Sequence, residues 1–252
     1  MDKTPSKGKI IAISNLKGGT GKTTSTISIS SALASVFKRR TLIVDLDPQH
    51  NLTIGFGLEN QDKTIFHALI HDEDVKPVQI YNRLDLIPAD LELLTADMLL
   101  MPVIRREQKL TKVLEKFRND YDYIIIDCSP SLGVLTINAL IAAQYIITPV
   151  STGTFSLKGF AILNNLINDI EREISGVFLN QYDERKLIDR GVYEALQANF
   201  KDKLFKTKIR TNTVLDQSAA AQTDIFHYKP GIRSNAAQDF KSLTKEIIKR
   251  TI

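Results

Sequence analysis

Cysteine is almost absent from this chain of 252 residues: Cys128 stands alone. That excludes an internal disulfide framework and any zinc centre built from several thiolates. No apolar run approaches the ~18 residues that a membrane-spanning helix needs. Met1 to Lys9 is polar and lacks the apolar core of a signal peptide. We therefore expect a cytoplasmic protein. Internal repeats, low-complexity tracts and linker-like stretches are also missing, and the 43% of hydrophobic residues suffices for a sizeable core. One domain over residues 1–252 is expected.

Charge is unevenly spread. The net value is +4. Residues 183–252 hold 14 Lys and Arg against 9 Asp and Glu, whereas the preceding 182 hold 19 against 20. The densest basic stretch is Lys201, Lys203, Lys206, Lys208 and Arg210, a surface suited to a phosphate backbone or an ordinary solvated face.

Short apolar segments alternate with stretches of helical spacing, as a parallel sheet with crossover helices requires. The expected strands are 9–14, 41–45, 85–88, 123–127, 145–150 and 176–180, with a weaker one near 204–209. Helical spacing covers 23–37, 91–100, 104–117, 132–142, 157–171, 187–200 and 236–248. The fold class is α/β: a twisted, mostly parallel sheet with helices on both faces and a ligand along the C-terminal ends of its strands.

The first chemical motif follows the first strand: Lys17, Gly18, Gly19, Thr20, Gly21, Lys22, Thr23 and Thr24. A strand feeding a glycine-rich turn that opens a helix is a phosphate cradle. Backbone N–H groups converge on an anion, Lys22 reaches the outer phosphates, and the Thr23 hydroxyl can ligate Mg²⁺. The bound species should be a nucleoside triphosphate. Leu16 stands where the general phosphate-loop pattern has glycine, and Lys17 brings a second cation. This form resembles the ParA/MinD class of P-loop ATPases with a deviant Walker A motif. In that class the extra lysine reaches across a dimer interface to the partner's nucleotide.

Asp45-Leu46-Asp47-Pro48-Gln49-His50-Asn51-Leu52-Thr53 closes the second strand. It resembles the ParA motif DxDPQGNxT, with His50 in place of glycine, a residue that takes a positive φ more easily than histidine does. The resemblance implies that Asp47 orients or activates the attacking water and that Asp45 contacts the loop lysines and the metal shell. The apolar run Tyr123 to Ile126 ends in Asp127, the Walker B arrangement in which a carboxylate holds Mg²⁺ directly or through water. Cys128 to Gly133 resembles the switch segment that senses the γ-phosphate, with the Cys128 thiol read as a small packed group.

Asn138 to Leu140 and Ala142 to Val150 resemble a further ParA block. Nearly the whole chain is thus similar to ParA/Soj-type partition ATPases without the N-terminal helix-turn-helix domain of longer members. The resemblance implies Asn180 as a base contact and Asn212 as a nucleotide residue. Val214 stands where the family often has a DNA-contacting arginine, which shifts that role to Lys206, Lys208, Arg210 or Arg233. ATP and Mg²⁺ would drive formation of a homodimer that binds nonspecific duplex DNA on the nucleoid. A ParB-type partner would stimulate a slow hydrolysis, because no arginine lies in these motifs.

A MinD-like positioning ATPase at a membrane or on a protein cargo is the alternative. Phe240, Leu243, Ile247 and Ile248 form a helical apolar face. MinD relatives use such a helix on membrane; here it is read as the last core helix, with no membrane partner expected. His67 and His71 stand four apart without a third ligand of suitable spacing.

Overall fold

A computed structural model of the chain describes residues 7–152 and 156–251, so Met1 to Ser6 of the polar N-terminus lie outside it. The strands are β1 (Lys9–Ile13), β2 (Thr41–Leu46), β3 (Val78–Tyr81), β4 (Leu84–Ile87), β5 (Tyr123–Cys128), β6 (Tyr145–Ser151) and β7 (Ile174–Asn180). They form one sheet in the order β3-β4-β2-β5-β1-β6-β7. All neighbours pair parallel except β3, which runs antiparallel to β4 at the edge.

Alternation along the strands sets the two faces. Ile10 and Ala12 of β1, with Leu42, Val44 and Leu46 of β2, point to one core. Its cover is the helices α3 (Ile65–Ile70), α4 (Ala96–Leu100), α5 (Lys109–Glu115), α6 (Val134–Ala142), α7 (Ser156–Asp169) and α8 (Leu187–Phe200). Ile11, Ile13, Ile43 and Ile125 point the other way. They meet α1 (Lys22–Ser31) and α10 (Asn235–Arg250), whose Phe240, Leu243 and Ile247 are fully buried. The C-terminal apolar face is thus consumed by packing, as expected of a core helix. Two further helices, α2 (Asn51–Ile54) and α9 (Val214–Ala220), complete the α-helical set among the described residues.

The same parity places chemistry. Asp45 and Asp127 are in register on adjacent strands, and Ile13 pairs with Asp127 from the other side. Both carboxylates therefore face α1, the helix that opens at the phosphate loop.

Three expectations change. The helix expected over 23–37 is α-helical only to Ser31 and continues as a π-helical turn over Ala32–Val36. Its sequence is rich in Ser and Thr, and Ser30 Oγ bonds back to the Thr26 carbonyl at 2.6 Å, a pattern that bends helices. The strand expected near 204–209 is reduced to isolated bridges. Glu246 of α10 takes the N–H groups of Lys206 and Thr207, each at 2.9 Å, and draws that stretch off the sheet edge. Strand β3 lies outside the expected strands because its four residues at the sheet edge are too few for their alternation to show.

Candidate functional site

The loop after β1 is anchored before it turns. Asn15 Nδ2 donates to the Pro149 carbonyl at 2.8 Å, and its Oδ1 accepts from Lys17 N at 3.0 Å. Gly19 (φ 71°) and Gly21 (φ 85°) both lie in the left-handed region that glycine enters without strain. The Lys17 carbonyl accepts from Thr20 Oγ1 and from Lys22 Nζ, both at 3.3 Å. Lys22 is buried; burial holds its pKa below the usual lysine range, with Asp127 the strongest opposing influence. Gly18 and Gly19 are exposed, and a Cβ built on either would meet nothing within 4 Å among the described residues.

Asp127 is fully buried. Thr26 Oγ1 donates to its Oδ1 at 3.1 Å, whereas Oδ2 is buried without a hydrogen-bond partner among the described residues. Burial first, then the charge of Asp45, pushes its pKa up to about 8, with the Thr23 hydroxyl opposing. An orphaned carboxylate oxygen beside a threonine hydroxyl fits a hard divalent cation, which takes oxygen donors. Thr23 and Asp127 are therefore the residues suited to hold Mg²⁺.

Asp45 departs from expectation. Its Oδ2 accepts from Thr53 N (2.9 Å) and Thr53 Oγ1 (2.7 Å), and its Oδ1 accepts from Asp47 N (3.1 Å). The carboxylate is committed to the turn that carries Asp47 rather than to the loop lysines, and Lys22 Nζ turns to the Lys17 carbonyl instead. Burial pushes its pKa up to about 6, against these hydrogen bonds. Asp47 is 7% exposed and accepts from Gln49 N at 3.0 Å. His50 adopts φ 40° at the start of α2, so the backbone keeps the conformation a glycine would take.

A cavity of about 670 Å³ runs from Lys17, Gly18, Gly19 and Gly21 to Asn180, Asn212 and Asp216. Asn180 Nδ2 donates to the Thr20 carbonyl at 2.8 Å, which ties it to the phosphate loop as well as to the cavity wall. Asn212 Oδ1 accepts from Val214 N at 3.0 Å and so shapes the turn into α9. Gln181, at φ 58°, receives hydroxyls from Thr152 and Thr211 on its carbonyl. All three residues line the cavity.

The basic candidates separate. Lys206, Lys208 and Arg210 line a second cavity of about 610 Å³ with Arg185 and Lys186, and it shares Lys186, Arg210 and Thr211 with the first. Lys208 Nζ lies 3.5 Å from the Tyr193 ring centroid and 4.4 Å from that of Tyr182. Arg210 is held by Asp239 through two bonds of 2.9 and 2.7 Å. Arg233 is exposed before α10 and lines neither cavity.

Sequence reasoning missed Asn15, Thr26, Arg185, Lys186 and Asp239. Only Asn15, directly before the loop, carried a local signal. His67 Nδ1 accepts from Thr64 N in a capping box, and His67, Asp90 and Glu92 bring donor atoms within 4.8 Å of one another; His71 is not in that group. Cys128 is buried, and burial raises its thiol pKa, as suits a packed group.

A family model described as an AAA domain matches residues 8–180. The sporulation initiation inhibitor protein Soj of Bacillus subtilis is 40% identical over 95% of this chain and 98% of its own. The chain belongs to the ParA/Soj family of P-loop ATPases. The chromosome partitioning protein ParA of Myxococcus xanthus is 35% identical over 96% of this chain and 89% of its own. Among solved structures, a cobyrinic acid a,c-diamide synthase from Mycobacterium smegmatis with bound ADP and magnesium superposes with a TM-score of 0.84. It is 28% identical and is covered over 97% of this chain and 95% of its own. A ParA/Soj ATPase therefore has its phosphate loop, Asp47 turn and Asp127 on one sheet edge here.

Proposed function

We propose that this ParA/Soj protein is an ATP-driven DNA-partition ATPase whose nucleotide state controls pairing, and whose pairing controls its hold on DNA. The observation that carries this is the open stretch Gly18-Gly19 beside Lys17, with no side chain to keep a second subunit away. Lys17 of each subunit neutralises charge on the triphosphate held by the other. Lys22 and the loop N–H groups hold the subunit's own phosphates. Thr23 and Asp127 would hold Mg²⁺, which would supply neutralisation of charge on the phosphates. Asp45 fixes the Asp47 turn, and Asp47 orients the attacking water.

Hydrolysis by the chain alone is slow for want of an arginine in these motifs, and a ParB-type partner supplies the acceleration. An exposed apolar band, Leu91, Leu94, Met98, Met101, Ile104 and Leu132, flanks the switch segment. Asp97 joins the two by accepting from Leu135 N at 3.0 Å. We assign that band to the protein–protein contacts of the cycle.

DNA contact falls to Lys206, Lys208 and their neighbour Lys186, with Arg185 and Arg210 half-neutralised by Asp183 and Asp239. Two such grooves side by side in a dimer raise avidity through effective concentration. A metabolic synthetase on the same loop, the class of the M. smegmatis neighbour, is less favoured, because the full-length likeness to partition proteins is higher in identity. A membrane-bound MinD-like role is less favoured because the apolar face of α10 is buried. Retention of nonspecific duplex DNA, measured with ATP, ADP and no nucleotide over a salt series, tests the reading. Binding is expected with ATP only and to fall steeply with salt. Equal retention in all three states, or preference for anionic vesicles, would refute it.

A further inference from the structure

At the opposite edge of the sheet from the phosphate loop lies a third cavity, of about 510 Å³, lined by Ala34, Ser35, Lys38, Tyr81, Asn82, Arg83 and His227. None of these residues takes part in the site above. Ser35 belongs to the π-helical turn that ends the α1 segment, and Asn82 and Arg83 form the turn between β3 and β4. π-helical turns recur at functional sites.

Two non-glycine residues of the lining have left-handed backbones, Lys38 at φ 57° and Arg83 at φ 73°. Such conformations cost about 1–3 kcal/mol each and persist where the surroundings enforce them. Arg83 Nη1 bonds the Lys38 carbonyl at 3.4 Å, which draws the two cationic turns together. Neither cation has an ion-pair partner among the described residues.

The imidazole is set in place. Asp224, 1% exposed, accepts from Phe226 N through Oδ1 at 2.8 Å and from His227 Nδ1 through Oδ2 at 2.7 Å. A carboxylate on Nδ1 fixes the proton there and leaves Nε2 facing Ser35 Oγ at 3.5 Å. Tyr81 packs against the ring at 4.2 Å between centroids, and its hydroxyl is buried without a hydrogen-bond partner among the described residues. The order Asp224, His227, Ser35 is that of a nucleophile relay, yet Ser35 sits within a helical turn whose N–H groups are spent on its own bonds.

What remains is an oriented imidazole, a guanidinium, an ammonium, a hydroxyl and an amide around a space of small-molecule size. Guanidinium and ammonium groups together recognise phosphate. We propose that this pocket is a second anion site that binds a phosphate group, free or carried on a small molecule, independently of the nucleotide.

The test uses the intact protein with its nucleotide site saturated by ADP and Mg²⁺, so that the phosphate loop cannot report. His227 ring resonances are followed by NMR while inorganic phosphate, or separately glucose 6-phosphate, is added at constant ionic strength. Both probes should move them, and the tighter of the two identifies the source. The double variant Lys38→Asn and Arg83→Asn keeps a residue type that tolerates the left-handed backbone. It should weaken binding by about tenfold or more while the melting temperature does not fall and basal ATPase stays unchanged. Resonances that do not move, undiminished binding by the double variant, or movement with duplex DNA alone would overturn the proposal.

Discussion

Asn180 fills the space that a side chain on Gly21 would need: a Cβ built there collides with the Asn180 amide, whose nitrogen donates to the Thr20 carbonyl at 2.8 Å. The end of β7 thus buckles the phosphate loop that follows β1. Gly21→Ala adds this collision to a φ of 85° and should abolish nucleotide binding. Asn180→Ala leaves a buried carbonyl unpaired, a cost of about 1–3 kcal/mol. Denaturant unfolding and affinity for an ATP analogue should both weaken. Unchanged affinity in Asn180→Ala would separate the buckle from binding.

Lys22→Ala and Asp47→Ala should fail differently. The first removes the buried ammonium of the loop, and nucleotide binding should be lost. The second should bind ATP normally and lose hydrolysis by roughly 10²–10⁴-fold, the usual effect of removing a group that handles the attacking water's proton. Single-turnover hydrolysis beside equilibrium binding makes the distinction, and normal turnover in Asp47→Ala would contradict the assignment.

Asp127 titrates with a sign that can be worked out. Its pKa is pushed up to about 8 in the folded protein by burial and Asp45, against an ordinary unfolded value near ~4. Stability from this group is whole below the unfolded value and is lost as pH rises through the folded one. Asp45, raised to about 6, acts in the same direction. Asp127→Asn removes the larger part. Without nucleotide it should melt higher than the parent at pH 8, by roughly 2–4 °C for each kcal/mol recovered, and about equally at pH 4. Its ATPase should be lost. Equal destabilisation at both pH values would contradict this.

His50 holds a left-handed backbone at φ 40° where related motifs carry glycine. His50→Gly should raise unfolding free energy by about 0.5–1 kcal/mol, the ~1–2 kcal/mol of left-handed strain relieved less the ~0.5–1 kcal/mol of backbone entropy that glycine adds. A loss of stability would show that the bond between His50 Nδ1 and the Pro48 carbonyl outweighs the strain.

Much of the fold was legible because β1, β2, β5 and β6 are buried on both faces and read as unbroken apolar runs such as Ile10 to Ile13. The positions of the phosphate loop, Asp47 and Asp127 at strand ends were legible because each closes such an apolar run. Asp45 was assigned to the wrong neighbours because Thr53, eight residues on, reaches it only once α2 folds. The basic candidates were judged by local density alone. Asp239, 29 residues beyond Arg210, and the paired rings of Tyr182 and Tyr193 under Lys208 are tertiary contacts that charge counting cannot supply. Strand β3 and the helices α2 and α9 are too short for their periodicity to show.

The most direct test of nucleotide-controlled pairing is solution mass in the presence of Mg²⁺ and a non-hydrolysable ATP analogue. The chain of 28.3 kDa should double in mass with the analogue and remain single with ADP, and Lys17→Ala should bind the analogue yet stay single. A parent protein that stays at one subunit's mass when saturated would contradict the account.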